Sequence, residues 1–318
     1  MPRVAVTRTL PPPAVARLRR AGHDVRQHDH DEPPDRDALL HLVAGADAVI
    51  TLLSDRVDDA FLDAAGPDLR IVANYAVGLN NVDLDACRAR GVAVAHTPGV
   101  LTEETADMTW ALLLAVARRV IEGHRLAASG RWTGWAPMQL LGTSLHGATF
   151  GVVGLGRIGA AAARRARGFG MEVVHASPSP KPEAERDLPA RRVELDDLLT
   201  TADVVSLHCP STPETRHLLD AEALARLKPS AIVVNTARGD VIDEQALVDA
   251  LDAGRVAGAG LDVFEREPRI HPRLRWFPNV VRAPQLGAAR VGAGVGLAHV
   301  VADAVVRVLD GRDAPNLA

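Results

Sequence analysis

Short runs of β-branched and small apolar residues alternate along this chain with longer runs in which apolar positions recur every three to four residues. The first kind occupies residues 3–7, 47–52, 70–74 and 91–95, and the second 13–20, 57–65 and 83–90. Strands separated by helical crossovers of this length pair in parallel. The first 95 residues therefore read as one open α/β sheet.

A stronger helical pattern follows at 103–120, with Leu112, Leu113 and Val116 on its apolar face and Glu103 and Glu104 at the end where a helix favours negative charge. Residues 122–144 contain Trp132, Trp135, Pro137 and several glycines without a period, and are expected to form a long ordered loop. A second alternating run begins at 149. Its predicted strands are 149–153, 172–176, 203–208, 231–235, 256–262 and 279–283; its predicted helices are 157–169, 196–201, 220–227 and 243–252. Six strands with intervening helices match a doubly wound parallel sheet. The proline-rich stretch 178–189 reads as a surface loop. Residues 294–309 are helical by period and are expected to return to the first sheet.

The chain has 318 residues, 47% of them hydrophobic and 24% charged, enough for two globular cores. Its 36 basic and 40 acidic side chains give a net charge of −4, which does not suggest a nucleic-acid or anionic-membrane partner. The longest uninterrupted apolar run, Trp110 to Ala117, falls well short of the about 20 residues of a spanning helix. The opening residues read as a strand, not as an apolar leader. Cys87 and Cys209 are far apart, so no disulfide framework or zinc knuckle is expected, and a reducing cytoplasm is the expected setting.

One segment carries specific chemistry. Gly154-Leu155-Gly156-Arg157-Ile158-Gly159 has the spacing G-x-G-x-x-G, after the apolar strand and at the start of a helix. There, Gly154 permits a tight turn, Gly156 lets backbone N–H groups approach a pyrophosphate, and Gly159 lets helix and strand pack closely. Arg157 and Ile158 lie in the same turn. The motif alone is weak, but between strand and helix it is strong. An acidic residue about 20 positions on would bind the ribose 2′-OH of NAD. Val174-His175-Ala176-Ser177-Pro178-Ser179-Pro180-Lys181 holds no carboxylate there. Ser177, Ser179, Lys181 and Arg157 are candidates to meet a 2′-phosphate, so the reading leans to NADP over NAD.

Six segments, in this order, extend the reading: NYAVGLNNVD (74–83), HTPGVLTEETADMTWALLLAVARR (96–119), GVVGLGRIG (151–159), SLHCPSTPETRHL (206–218), NTARGDVIDEQALVDAL (235–251) and AGAGLDVFEREP (257–268). Across most of its length the chain resembles the D-2-hydroxyacid dehydrogenases, most closely their glyoxylate/hydroxypyruvate reductase branch. The resemblance implies a Rossmann-type doubly wound parallel sheet plus a flavodoxin-like α/β substrate domain. The substrate domain would be discontinuous, 1–99 with 287–318, around a nicotinamide dinucleotide-binding domain at 100–286. It also implies reduction of a small 2-keto acid to the D-2-hydroxy acid with NAD or NADP, a homodimer built on the 103–144 region, and no metal. Carried over by motif, Arg238 would bind the substrate carboxylate and polarise the keto oxygen, with the backbone N–H groups of Val77 and Gly78 on its other side. Glu267 would pair with the general acid. His208, Cys209, Pro210, Thr236, Ala237 and Asp262 would lie against the cofactor.

The departure from the family is at the acid itself. The family's P-H-I-G is here Pro284-Gln285-Leu286-Gly287. A glutamine amide cannot deliver a proton, although its two N–H donors are expected to reach Glu267 and the keto oxygen. Loss of a positioned acid costs ~10²–10⁴ in rate. Three readings stay open: an active reductase with an adapted or impaired acid position, a non-catalytic NAD(P)-binding protein, and hydride transfer that needs no proton relay. His96, His208 and His271 read mainly as packing or hydrogen-bonding residues, and the 28–32 cluster of His and acidic residues as a solvated polar loop. Cys209 reads as an inert buried thiol.

Overall fold

The computed structural model describes residues 1–289 and 292–318. The chain divides into two compact units, Met1–Leu101 with Arg290–Ala318, and Thr102–Ala289.

The first unit holds a five-stranded parallel sheet of β1 (Arg3–Val6), β2 (Asp24–Gln27), β3 (Ala48–Thr51), β4 (Ile71–Asn74) and β5 (Ala93–Ala95). The spatial order β2-β1-β3-β4-β5 is that of flavodoxin-like folds. Strand alternation decides which side each residue serves. Val4, Val6, Ile50 and Ile71 pack with α1 (Pro12–Arg20) and the late helix Ala293–Leu309. Ala5, Val49 and Val72 pack with α2 (Arg36–Val43), α3 (Asp59–Ala65) and α4 (Leu84–Ala89). The late helix thus lies on the first sheet, where the sequence pattern put it. Asp35, Asp58 and Asp83 cap α2, α3 and α4 through backbone N–H groups.

The second unit contains α5 (Thr102–Ala117), α6 (Val120–Ala128), β6 (Thr149–Val153), α7 (Arg157–Gly168), β7 (Glu172–Ala176), α8 (Pro182–Asp187), β8 (Arg191–Arg192), α9 (Leu195–Thr201), β9 (Val204–Leu207), α10 (Ala221–Ala225), β10 (Ile232–Asn235), α11 (Glu244–Asp252), β11 (Gly258–Leu261) and β12 (Val280–Arg282). All seven strands are parallel, in the order β8-β7-β6-β9-β10-β11-β12. Counted from β6, this is the Rossmann order 3-2-1-4-5-6 with one strand added at the far edge.

Three differences from the sequence pattern have local causes. The polar edge strand β2 (Asp-Val-Arg-Gln) has no fully buried position, so it carries no apolar signal. Arg119 adopts a left-handed conformation and ends α5 early; α6 then occupies the start of the expected 122–144 loop without one buried residue. The expected loop 178–189 contains the short helix α8, in which Ala184 and Glu185 are only partly buried and the rest is exposed. The apolar face of α5 is also spent inside its own unit: Trp110 stacks on Phe150 and Phe169, and Leu112, Leu113 and Val116 are buried. Exposed apolar side chains follow further on at Val120, Trp132, Trp135, Met138 and Leu141, with Trp276 exposed elsewhere in the unit.

Candidate active site

The glycine turn sits between β6 and α7. Gly154 has φ +93°, a conformation disfavoured for any side chain, and a Cβ there would lie 2.8 Å from the backbone nitrogen of Cys209. A Cβ on Gly159 would run into the Gly154 carbonyl. One on Gly156 would meet no protein atom. These are the roles the motif assigns to its three positions. The first N–H groups of α7, including those of Arg157 and Ile158, have no preceding carbonyl within the helix, and no acidic side chain occupies its first turn. The turn therefore offers uncompensated positive charge, which fits a pyrophosphate.

The turn is braced from β7 and β9. The Gly154 N–H donates to the Ala176 carbonyl at 2.8 Å, and the Leu155 N–H to Ser177 Oγ at 2.9 Å. Ser177 thus holds the turn from below. His175, fully buried, places Nδ1 3.3 Å from Ser177 Oγ and Nε2 3.3 Å from Glu185; burial lowers its pKa, against the nearby carboxylate. His208 bonds Ser206 Oγ through Nε2 at 2.8 Å, while its Nδ1 is buried without a partner. Burial pushes its pKa down to about 4, so it is neutral near pH 7. The backbones of His208 and Cys209 wall the turn, and the Cys209 thiol is buried with its pKa pushed up to about 11. Pro210 is exposed beside them.

Beyond β10, Thr236 Oγ1 meets Thr109 Oγ1 at 2.9 Å, and the Ala237 N–H donates to Asn235 Oδ1. Asn235 Nδ2 donates to the Arg238 carbonyl at 2.8 Å, which fixes the turn that carries the guanidinium. Arg238 is half-buried; burial lowers its pKa while Glu267 and Asp240 act to raise it. The guanidinium, charged at any pH of interest, donates through Nη1 to the Ala237 carbonyl at 2.6 Å.

Asp262 is buried at 2% exposure, and each carboxylate oxygen accepts a backbone N–H at 2.7 Å, Oδ1 from Leu286 and Oδ2 from Gly287. Burial raises its pKa; the two amides oppose this. Asp262 therefore anchors the turn bearing Gln285, and its own carbonyl accepts the Gln285 N–H. Gln285 is exposed and left-handed at φ 55°. The expected bond from its amide to Glu267 is not formed among the described residues. Glu267 Oε1 instead accepts the Phe264 N–H at 2.8 Å. The Phe264 amide, three residues away, takes one oxygen of the carboxylate from within the same turn, while Gln285 sits on a separate turn with its side chain exposed.

In the first unit, the segment after β4 has its carbonyls taken one after another. The Thr97 N–H donates to Ala76 O at 2.9 Å, His96 Nδ1–H to Val77 O at 2.9 Å, and Asn74 Nδ2 to Gly78 O at 2.9 Å. In a trans peptide the N–H points opposite the carbonyl of the preceding residue. The amides of Val77, Gly78 and Leu79 therefore turn away from these partners, and none donates to protein among the described residues. Val77, Gly78 and Leu79 thus carry three successive unpartnered amides, the kind of donor run that anion-binding nests use.

A family model, D-isomer specific 2-hydroxyacid dehydrogenase, NAD binding domain, matches residues 110–287. The chain belongs to the D-2-hydroxyacid dehydrogenase family. It is 46% identical to a glyoxylate reductase of Thermococcus onnurineus (strain NA1), over 99% of this chain and 95% of the relative. Among solved structures, the TT0316 protein from Thermus thermophilus superposes with TM-score 0.93 at 48% identity, covering 99% of both chains. An NADPH-dependent glyoxylate/hydroxypyruvate reductase from Sinorhizobium meliloti, in complex with NADP and malonate, superposes with TM-score 0.87 at 32% identity, covering 100% of this chain and 96% of that one. Membership makes this an NAD(P)-dependent oxidoreductase fold with two parallel sheets. Among the described residues no helix is long and apolar enough to cross a membrane, and no group of three His, Cys, Asp or Glu side chains could hold a metal ion.

Within this family frame, one residue at the cofactor end was not legible. Arg192 on β8 reaches across to the Ser177 and Pro178 carbonyls at 3.1–3.3 Å, placing a cation at the end of β7. It lies 15 residues from Ser177, and only the pairing of His175 with Arg192 brings it back. His271 caps a 3₁₀ turn and bonds Gln245, which leaves it a structural role.

Proposed function

We propose that this protein reduces a small 2-keto acid of the glyoxylate/hydroxypyruvate type to the D-2-hydroxy acid, with the second unit as the cofactor domain. What supports this is that the chain carries a glycine turn of the dinucleotide-binding kind, the half-buried Arg238 guanidinium in the second unit and, in the first, the Val77 and Gly78 amides, unpartnered among the described residues. The nicotinamide, when bound, supplies the hydride. Gly154, Gly156, Arg157, Ile158 and Gly159 would hold its pyrophosphate, and Ser177, His208, Cys209, Pro210, Thr236 and Ala237 would line it. Arg238 orients the keto acid and draws charge toward the developing alkoxide. Asp262 serves by fixing the turn of Gln285.

Gln285 can donate an N–H to the alkoxide but not a proton, so the proton comes from water in this reading. The cofactor is NADP in preference to NAD: residues 177–181 after β7 hold no carboxylate, and Arg192, Ser179, Lys181 and Arg157 supply positive or neutral partners for a 2′-phosphate. The exposed Trp132, Trp135 and Met138 favour a homodimer through that segment. Two buried free cysteines suit a reducing cytoplasm.

One feature favours a second reading, a cofactor-binding protein without turnover: Gln285 makes no bond to Glu267 among the described residues. The deciding experiment follows NADPH and NADH absorbance with glyoxylate and hydroxypyruvate, alongside fluorescence titration of both cofactors. Turnover with tighter NADPH binding supports the proposal. Binding without turnover selects the second reading, and no binding of either cofactor at millimolar concentration removes both.

A further inference from the structure

We infer that His96, held in place by Asn316, is a positioning residue for the anion cradle at Val77–Leu79. This rests on reading those amides as the site of a substrate carboxylate. A carbonyl oxygen only accepts, so the 2.9 Å contact between His96 Nδ1 and Val77 O requires the hydrogen on Nδ1. The peptide joining Val77 to Gly78 is thereby rotated with its oxygen toward His96 and its N–H away. Without that donor the Val77 carbonyl loses its partner and the plane is free to turn, which would swing the central amide of the three.

The histidine itself is clamped. Its N–H donates to the Asn316 carbonyl at 3.1 Å, and Asn316 Nδ2 donates back to the His96 carbonyl. Asn316 is buried at 8% exposure, and Leu317 and Ala318 continue the pairing along β5 through Ala95 and Val94. Residues 316–318 therefore brace the backbone whose side chain sets the cradle. His96 touches no reacting atom in this account; it acts only through the Val77 peptide.

The test uses the full chain saturated with NADPH or NADH, whichever binds tighter, and oxalate as the probe. In wild-type protein, ¹H–¹⁵N spectra should show the Val77, Gly78 and Leu79 amides shifting on oxalate addition. His96→Phe should raise the oxalate Kd about tenfold, the worth of one well-placed hydrogen bond, with the cofactor Kd unchanged. His96→Asn should restore binding to within about twofold, because its amide nitrogen branches at the same carbon as Nδ1. Asn316→Ala should raise the Kd less, about threefold, and add nothing further in the His96→Phe background, since both act on one peptide. If the amides respond but His96→Phe binds oxalate normally, the role of His96 is overturned and the cradle stands. A Kd rise shared equally by the cofactor would mark a general loss of structure and also overturn it. Amides that ignore oxalate would overturn cradle and inference together.

Discussion

Two turns in this protein leave backbone N–H groups without a protein partner among the described residues, and they are made in opposite ways. The turn at 154–159 is made by removing side chains: Gly154 and Gly159 are sites where a Cβ would strike backbone, and Gly156 keeps an approach clear. The segment at 76–79 is made by adding partners: Thr97, His96 and Asn74 each take one carbonyl and turn the next amide outward. The first is encoded within six consecutive residues. The second is encoded by residues up to about twenty positions away, with Asn316 beyond them. A subtractive site fails when something is inserted; an additive one fails when something is withdrawn, and more gently.

The largest effect should therefore come from filling the first turn. Gly159→Val places a branched side chain where even a Cβ meets the Gly154 carbonyl. The expected outcome is at least a hundredfold weaker NADPH and NADH binding, with overpacking costing roughly 1–3 kcal/mol of stability. Fluorescence titration and thermal melts read the two separately. Cofactor affinity within threefold of wild type would show that helix and strand can part without cost, contrary to the subtractive account.

If both turns are sound, position 285 is the next to probe, because a glutamine amide cannot deliver a proton. Gln285→His should increase kcat/KM for 2-keto acid reduction by about 10²-fold. The variant should also acquire a limb in kcat/KM that falls as pH rises through the imidazole pKa, because reduction needs the protonated form. Arg238→Ala in that background should abolish the gain. Neither rate nor pH limb would mean that the side chain at 285 does not face the substrate, in keeping with its lack of a bond to Glu267, or that the natural reaction needs no acid there.

The same contrast explains which features local sequence encodes. The glycine turn, the parallel sheets and the return of the last helix follow from local spacing and periodicity, so the pattern 149–169 placed β6, the turn and α7 within a few residues of their observed limits. The resemblance puts Asp262 against the cofactor, but no spacing reveals that both its oxygens are spent on the Leu286 and Gly287 amides. Arg192 and Asn316 gave no signal at all, since each acquires its place only through strand pairing. Short polar elements such as β2 and α8 bury too little to impose a period.

A smaller effect separates the turns by acid. His208, whose backbone walls the glycine turn, is held neutral by burial with its pKa near 4 against an ordinary 6.5. The unfolded chain binds that proton more readily than the folded one, so stability falls as pH drops below about 6.5 and levels off below about 4. From pH 7 to pH 5 the share owed to this one group is roughly 2 kcal/mol. His23 and His175 are shifted in the same direction by burial and add to the slope. Denaturant unfolding at pH 7 and pH 5 should therefore show an acid loss in wild type that is reduced by about that amount in His208→Gln, whose amide reaches the place of Nε2 and so keeps a hydrogen-bonding group toward Ser206 without a titrating ring. An unchanged acid loss in the variant would mean that His208 protonates in the folded state without penalty, its partnerless Nδ1 having found water, and that the backbone of the glycine turn tolerates a charge beside it.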